Sequence, residues 1–337
     1  MAATIYDIAK ACHCSTATVS KVLNNTGKIS ENKKTEILRV AKEIGYVRNQ
    51  TASSLASSNK SSKLVGILLH ILEDKSITHE LFSGILNSFR NEMEKNEYDI
   101  CFLRNIDDDN EMEYKNFVDA RGLDGVFILS SSKKKQKTIN LIKEENIPMV
   151  AFDFDGAKYG VSSNNKESVA SLVDYLVSMG HKRICFVKPD EYGVSQERYN
   201  GFIEGINRNN IEFDERMIIK APYYSHDSAK IATDLALNSG YNPSVIMYPD
   251  DYTAINATQY LHQLGYSVPN DISITGFDGI EIGKVTQPSL VTVEQDTKTL
   301  GINAAELLLM QINKETINEP LVIVDTKIIK GQSVKKI

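Results

Sequence analysis

From Lys63 onward, apolar runs of β type alternate with helical segments at intervals of roughly 25 to 35 residues, the rhythm of parallel βαβ units. Strands are expected at Leu64 to Leu69, Asp99 to Leu103, Gly125 to Leu129, Met149 to Phe152, Arg183 to Val187, Val245 to Tyr248 and Ile272 to Thr275. Helices are expected between them, at Glu80 to Lys95, Lys166 to Met179, Tyr199 to Arg208, Ser228 to Asn238 and Tyr252 to Gln263. More than about 250 residues is too much chain for one comfortable open sheet, so two similar lobes follow. Ligands of such folds sit outside the carboxyl ends of the strands, facing the cleft. That makes Asp153 after Phe152, Asp250 and Asp251 after Tyr248, and Asp278 in ITGFD candidate ligand contacts. Arg198 joins them at the start of the helix after CFVKPDEYGVSQ. The plainer alternative is that Asp278 and Asp251 cap helices and brace loops.

The first 45 residues follow a different pattern. Thr4 can cap a helix from Ile5, in which Ile5, Ile8, Ala9 and Cys12 recur at helical spacing. Ser15 can cap a second, with Val19, Val22 and Leu23 on one face and Thr16, Ala17, Ser20 and Lys21 on the other. A third runs from Ser30, with Ile37, Val40, Ala41 and Ile44 as its apolar stripe and Gly45 as C-cap. A short helix whose outer face is small and ends in a cation can lie deep in a DNA major groove. Asn49 to Asn59, NQTASSLASSN, carries Leu55 as its only large apolar side chain, and reads as a linker or as a helix that orders only on a partner.

Charge divides the chain in the same place. Residues 1 to 63 hold 10 Lys plus Arg against 4 acids, net +6, and the remainder holds 28 basic against 40 acidic residues, net −12. A basic head can neutralise phosphates while an acidic body is repelled from the duplex. Without an apolar run of bilayer length, and with a capped helix at the N-terminus in place of an export signal, the chain is expected in the cytoplasm. Cys12, Cys14, Cys101 and Cys185 fit reduced thiols there. Cys12-His13-Cys14 lacks a second ligand pair at zinc spacing, so neither metal nor cofactor is expected. An enzyme would need a nucleophile with its base or a phosphate-gripping loop, and neither G-x-S-x-G nor G-x-x-x-x-G-K occurs. His79, His181, His226 and His262 are expected at helix ends or on the surface. An exported solute-binding protein would share the lobes but have no use for a basic three-helix head.

The order TIYDIA, STATVSKVLN, IGYVRN and ASSLAS, followed by KLVGILL, DGVFILSSS, GHKRICFV, ERYNGF, LGYSVPNDISITGFD and QPSLVTVEQD, resembles the lactose-repressor (LacI) family of bacterial transcription regulators along the whole chain. The resemblance implies an all-α helix-turn-helix headpiece at 1–48, a hinge helix or linker at 49–62, and a two-lobed α/β sensor like the periplasmic sugar-binding proteins at 63–337. Its chain would cross between lobes near Val161, Val291 and Asp325, leaving lobe one as 63–161 plus 292–324 and lobe two as 162–291 plus 325–337. Thr4, Thr16, Ala17, Ser20, Lys21, Asn24, Asn49 and Leu55 would then face DNA, Leu55 as a wedge in the minor groove. Positions matching Arg198, Asp278 and the aromatic Tyr224 would contact the effector, alongside Asp153 and Asp250.

The implied function is a ligand-responsive regulator, a repressor on family grounds, bound as a homodimer to a pseudo-palindromic operator. Carboxylates, a guanidinium and an aromatic plate suit a sugar. The chain departs from the family at His13, where Gly is usual, at His70 and Ile71, where Pro-Asp is usual, and at Asp250, where Asn is usual. A purine, or a phosphorylated protein partner on the lobe surface, therefore stays open. The terminal KGQSVKKI is too short for a coiled coil, so a dimer and not a tetramer is expected.

Overall fold

A computed structural model describes residues 3–23, 27–46, 61–69, 78–103, 122–130, 146–153, 157–189, 193–221 and 226–337. Asn24, Asn49, Leu55 and Tyr224 lie outside them, as do His70 and Ile71. The chain divides into two compact units, Met1–Ser62 and Lys63–Ile337.

Among the described residues the first unit holds three helices: α1 (Ile5–Ala11), α2 (Thr16–Leu23) and α3 (Glu31–Glu43). Thr4 and Asp7 close the start of α1, the Asp7 carboxylate accepting from the Thr4 N–H at 2.8 Å and the Thr4 hydroxyl at 2.7 Å. Ser15 Oγ accepts from the Thr18 N–H at 3.1 Å at the start of α2. Between them His13 sits at φ 46°, a left-handed turn that His tolerates better than a branched residue does. Lys33 Nζ reaches back to donate to the Cys12 carbonyl at 2.6 Å, satisfying the end of α1 with a cation. Gly45, at φ 65°, ends α3, and the Tyr46 N–H returns to the Ala41 carbonyl. Ile8, Cys12, Val19, Val22, Ile37 and Val40 form the core.

Among its described residues the second unit holds two parallel sheets. The first has the order β11-β5-β4-β3-β1-β2, from β1 (Leu64–Leu69), β2 (Asp99–Phe102), β3 (Gly125–Ser130), β4 (Met149–Phe152), β5 (Gly160–Ser163) and β11 (Leu321–Val324). One face packs on α4 (Glu80–Lys95) and α10 (Thr297–Ile312), through Val65, Ile67, Phe89, Phe127, Leu300 and Leu308. Leu68, Leu103, Val126, Ile128 and Ala151 form a separate cluster from alternate strand positions. Burial on both faces is why these strands read as unbroken apolar runs. α10 approaches α4 so closely that a Cβ at Gly301 would stand 2.4 Å from the Ile85 carbonyl oxygen.

The other sheet has the order β7-β6-β8-β9, from β6 (Ile184–Lys188), β7 (Ile218–Lys220), β8 (Val245–Met247) and β9 (Ser273–Thr275). It carries α5 (Asn165–Ser178), α6 (Gly193–Arg208), α7 (His226–Asn238), α8 (Asp251–Gln263) and the short α9 (Glu281–Val285). α6 begins six residues before the expected Tyr199.

β10 (Thr292–Gln295) and β12 (Thr326–Ile329) pair antiparallel as a two-stranded ribbon. The chain leaves the first sheet after Ser163, returns by way of β10, and leaves again at Asp325, between β11 and β12. The two lobes therefore meet at Ser163–Asn165, β10 and β12.

Candidate functional site

On α2, Ala17 and Lys21 are exposed, Thr16 and Ser20 half-exposed, and Val19 and Val22 buried. Small outward residues followed by a cation are what a groove-entering helix requires. Thr4, grouped with this set by sequence, spends its hydroxyl on Asp7.

In the sensor, the candidate residues lie along one buried polar chain. Asp153, at the end of β4, accepts from Ser162 Oγ at 2.5 Å and from Asn165 Nδ2 at 3.4 Å. Burial pushes its carboxyl above the ordinary range, against the Ser162 hydroxyl and the Arg198 charge. Asn165 Oδ1 accepts from Arg198 Nε at 2.8 Å. The Arg198 guanidinium also donates to the Pro249 carbonyl at 2.9 Å and stacks on Phe277, its central carbon 3.6 Å from the ring centroid. Ser163 Oγ donates to Gln295 Oε1 at 2.6 Å, and Gln295 Nε2 donates to Asp278 Oδ1 at 2.7 Å. Asp278 Oδ2 faces His79 Nε2 at 4.0 Å. Lobe one, the Ser163–Asn165 crossing, β10 and lobe two are thus joined through side chains that sequence reasoning had partly missed: Ser162, Ser163, Asn165 and Gln295. The one available signal was the VEQD segment, where Gln295 turns into this chain while Asp296 caps α10 by accepting from the Thr299 N–H at 3.0 Å.

Two other carboxylates are structural. Both Asp250 oxygens serve Thr253, Oδ1 accepting from its N–H at 2.8 Å and Oδ2 from its hydroxyl at 2.6 Å, so Asp250 is the N-cap of α8. Asp251 braces the loop after β9, accepting from the Gly279 and Ile280 N–H groups at 2.8 and 2.9 Å and from Thr292 Oγ1 at 2.5 Å. That is the plainer of the two alternatives for Asp251. Asp278 caps nothing. Burial pushes the Asp251 carboxyl up to about 7, against those hydrogen bonds and with help from the Asp250 charge. A carboxyl whose folded value is raised contributes stability below its unfolded value and loses it as pH rises to the folded one. The Asp251 contribution to stability should therefore decline between about pH 4 and 7 and level off above, and Asp251→Asn should make the slope over that window shallower in urea titrations. An equal slope in the variant would remove Asp251 as its source.

His79, His226 and His262 lie at helix ends as expected, and His181 does not. His79 caps α4 but is buried, between Phe82 at 5.0 Å and Tyr252 at 5.0 Å, and burial lowers its pKa to about 4. His181 is fully buried, Nδ1 against Ser244 Oγ at 2.8 Å and Nε2 against the Lys335 carbonyl at 3.0 Å. Beside His79, Glu80 Oε1 accepts from the Glu281 N–H at 2.7 Å, another contact between lobes. A cavity of about 410 Å³ opens here, lined by Glu80, Asp278, Gln295 and Asp296. Another of about 160 Å³ lies at Asp153, Ser162 and Glu197. Among the described residues no group of three His, Cys, Asp or Glu side chains could hold a metal ion, and no helix is long and apolar enough to cross a membrane.

Two family models match this chain: residues 4–49 match bacterial regulatory proteins of the lacI family, and 173–334 a periplasmic binding protein-like domain. The chain belongs to the LacI family. A probable HTH-type transcriptional repressor ExuR of Bacillus subtilis is 28% identical over 340 residues, 99% of each chain. The HTH-type transcriptional repressor PurR of Vibrio vulnificus is 26% identical over 341 residues, again 99% of each chain. Among solved structures, the lac repressor dimer bound to operator and the anti-inducer ONPF superposes with a TM-score of 0.83 at 21% identity, over 99% of this LacI-family chain and 100% of that one. At that identity the likeness establishes the fold, with a helix-turn-helix head and two α/β lobes.

Proposed function

We propose that this LacI-family chain is a repressor of transcription that binds a pseudo-palindromic DNA operator as a homodimer in the cytoplasm and changes its DNA affinity when a small molecule, a sugar by preference, enters between the lobes. The carrying observation is that one chain joins a basic head, whose α2 presents Thr16, Ala17 and Lys21, to a lobed sensor with a buried polar chain at its junction. Lys21 reads a base edge, Thr16 and Ala17 line the groove, and Ser20 and Thr4 lie near phosphates. Arg198, Asp278 and Asp153 contact the ligand, with Tyr224 as the stacking plate implied by resemblance; Asp250 positions α8.

Large apolar side chains left at the surface support pairing: Phe102 on the edge strand β2, Ile231 and Leu235 on α7, and Ile282 and Val285 on α9, the last 78% exposed. Ligand binding shifts DNA affinity by its differential affinity for the two lobe arrangements. The discriminating experiment is a salt titration of duplex binding by the full chain. Affinity should fall steeply between low and moderate salt. Lys21→Ala should weaken selected operator at least about tenfold more than scrambled duplex. No binding at any salt would sink the regulator; equal losses on both duplexes would reduce Lys21 to a phosphate contact.

A further inference from the structure

The turn between α1 and α2 sets where the second helix lies, and it is built from Cys12, His13 and Cys14. The Cys12 N–H donates to the Ile8 carbonyl at 2.9 Å, His13 takes its left-handed conformation, and the Cys14 N–H turns back to the Ala9 carbonyl at 3.0 Å. In such a helix end the residue after the left-handed one folds against the last turn. Two trans peptide steps keep the Cα atoms of Cys12 and Cys14 at most about 7 Å apart, and the reversal brings them nearer, into the roughly 4.4 to 6.8 Å that a disulfide spans. Both side chains enter one apolar core, Cys12 as a fully buried member and Cys14, half-buried, packed against it.

The surroundings give the two sulfurs different parts. Cys14 can be reached from solvent and Cys12 cannot. Burial first, then Glu36 and Cys14, push the Cys12 thiol up, while Lys33 and Arg39 act the other way. Lys33 stands beside both: its ammonium donates to the Cys12 carbonyl and, at 2.8 Å, to Glu36, and its pKa is raised by Glu36 first and then, against burial, by Cys14 and Cys12. A cation near sulfur favours the thiolate, the species that attacks an oxidant. Cys101 and Cys185 stand on strands of different sheets, β2 and β6, and burial pushes the Cys185 thiol up to about 12.

We propose that Cys14 is a peroxide-reactive thiol and Cys12 its resolving partner, so that oxidation closes a disulfide across the turn between α1 and α2 and releases the head from DNA. This rests on DNA binding by the head, as proposed above, and adds a second input to it. The Cys14 thiolate attacks one oxygen of hydrogen peroxide, the O–O bond breaks, hydroxide leaves, and a sulfenic acid forms. Cys12 sulfur then attacks Cys14 sulfur, the S–O bond breaks, and the Cys12 proton leaves with the oxygen as water. The hydroxide takes up the proton that Cys14 first lost, so two thiols and one peroxide give one disulfide and two waters. Bonding to Cys14 draws the Cys12 sulfur out of its packing in the core that holds Ile8, Val19 and Val22, and the angle at which α1 presents α2 changes with it.

The test treats the reduced full chain with hydrogen peroxide and reads peptide mass and DNA affinity on the same sample. Trypsin cuts after Lys10 and Lys21, so both sulfurs fall in one peptide, Ala11–Lys21. That peptide should lose two hydrogens and gain no oxygen. Duplex affinity by fluorescence anisotropy should fall at least about tenfold, the effect of losing one good base contact. Dithiothreitol should reverse both changes. Cys12→Ala should stop at the sulfenic acid, which dimedone traps on the same peptide, and Cys14→Ala should bind duplex equally before and after peroxide.

A wild-type peptide that keeps both thiols, or gains only oxygen, overturns the inference. So does a disulfide that leaves duplex affinity unchanged, or a peroxide response that survives in Cys14→Ala. Should that variant fail to fold, the wild-type peptide mass and the dithiothreitol reversal still decide. A reduced wild-type chain that binds no duplex at low salt removes the regulator itself, and this inference with it, whatever the peptide mass shows.

Discussion

Arg198→Ala should lower the melting temperature of the sensor by about 10 °C and abolish its response to ligand. The guanidinium is 5% exposed and is the cation whose charge favours ionisation of both Asp153 and Asp278. Its removal also strands Asn165 Oδ1 and the Pro249 carbonyl and leaves the face of Phe277 uncovered. Breaking a buried charge arrangement from one side costs about 3 to 5 kcal/mol. For a unit of this size, about 2 to 4 °C accompanies each kcal/mol. Circular dichroism melts of the full chain give the number, and a variant melting within about 2 °C of wild type would show that Asp153 and Asp278 do not depend on Arg198.

Leu55→Ala should weaken operator binding at least about tenfold and leave the melting of the sensor unchanged. Unstacking a base step costs a few kcal/mol, which a wedge offsets through the bend it permits, so removing the wedge removes both. The polar segment around Leu55 has no other large apolar side chain to take its place. Fluorescence anisotropy on a labelled duplex reads the affinity directly. Equal affinities for variant and wild type contradict the wedge that family resemblance implies.

Some of the sensor was legible in the sequence to the residue. β1, β4 and α4 coincide with Leu64 to Leu69, Met149 to Phe152 and Glu80 to Lys95 because each combines an uninterrupted period with a sharp polar boundary. β10 and β12, by contrast, escaped notice. Segments TVEQ and TKII are short, half polar, and pair with one another across thirty intervening residues, so neither carries a local signature. The site divides similarly. Carboxylates at strand ends could be nominated from position alone, and Asp153 and Asp278 do join one buried chain through Arg198 and Gln295. Position could not tell a ligand contact from a cap: Asp250 is distinguished only by Thr253 one turn on, where its hydroxyl and N–H both turn back. Ser163, Asn165 and Gln295 were invisible because nothing local shows that an ordinary polar residue will be buried; only distant partners decide it. His181, fully buried and outside any helix, was misplaced for the same reason.

The bond between Ser163 and Gln295 couples two of the three connections by which the lobes are hung. A door whose hinges are pinned to one another cannot sag on one and stay square on the next; it swings as a single leaf. Bending Ser163–Asn165 must carry β10 with it, and β10 is laddered to β12. Partial opening strands buried donors and acceptors along the entire seam, so intermediate angles are penalised and the extremes favoured. Response to a ligand should accordingly be a threshold, with each subunit populating two shapes in shifting proportion and none between.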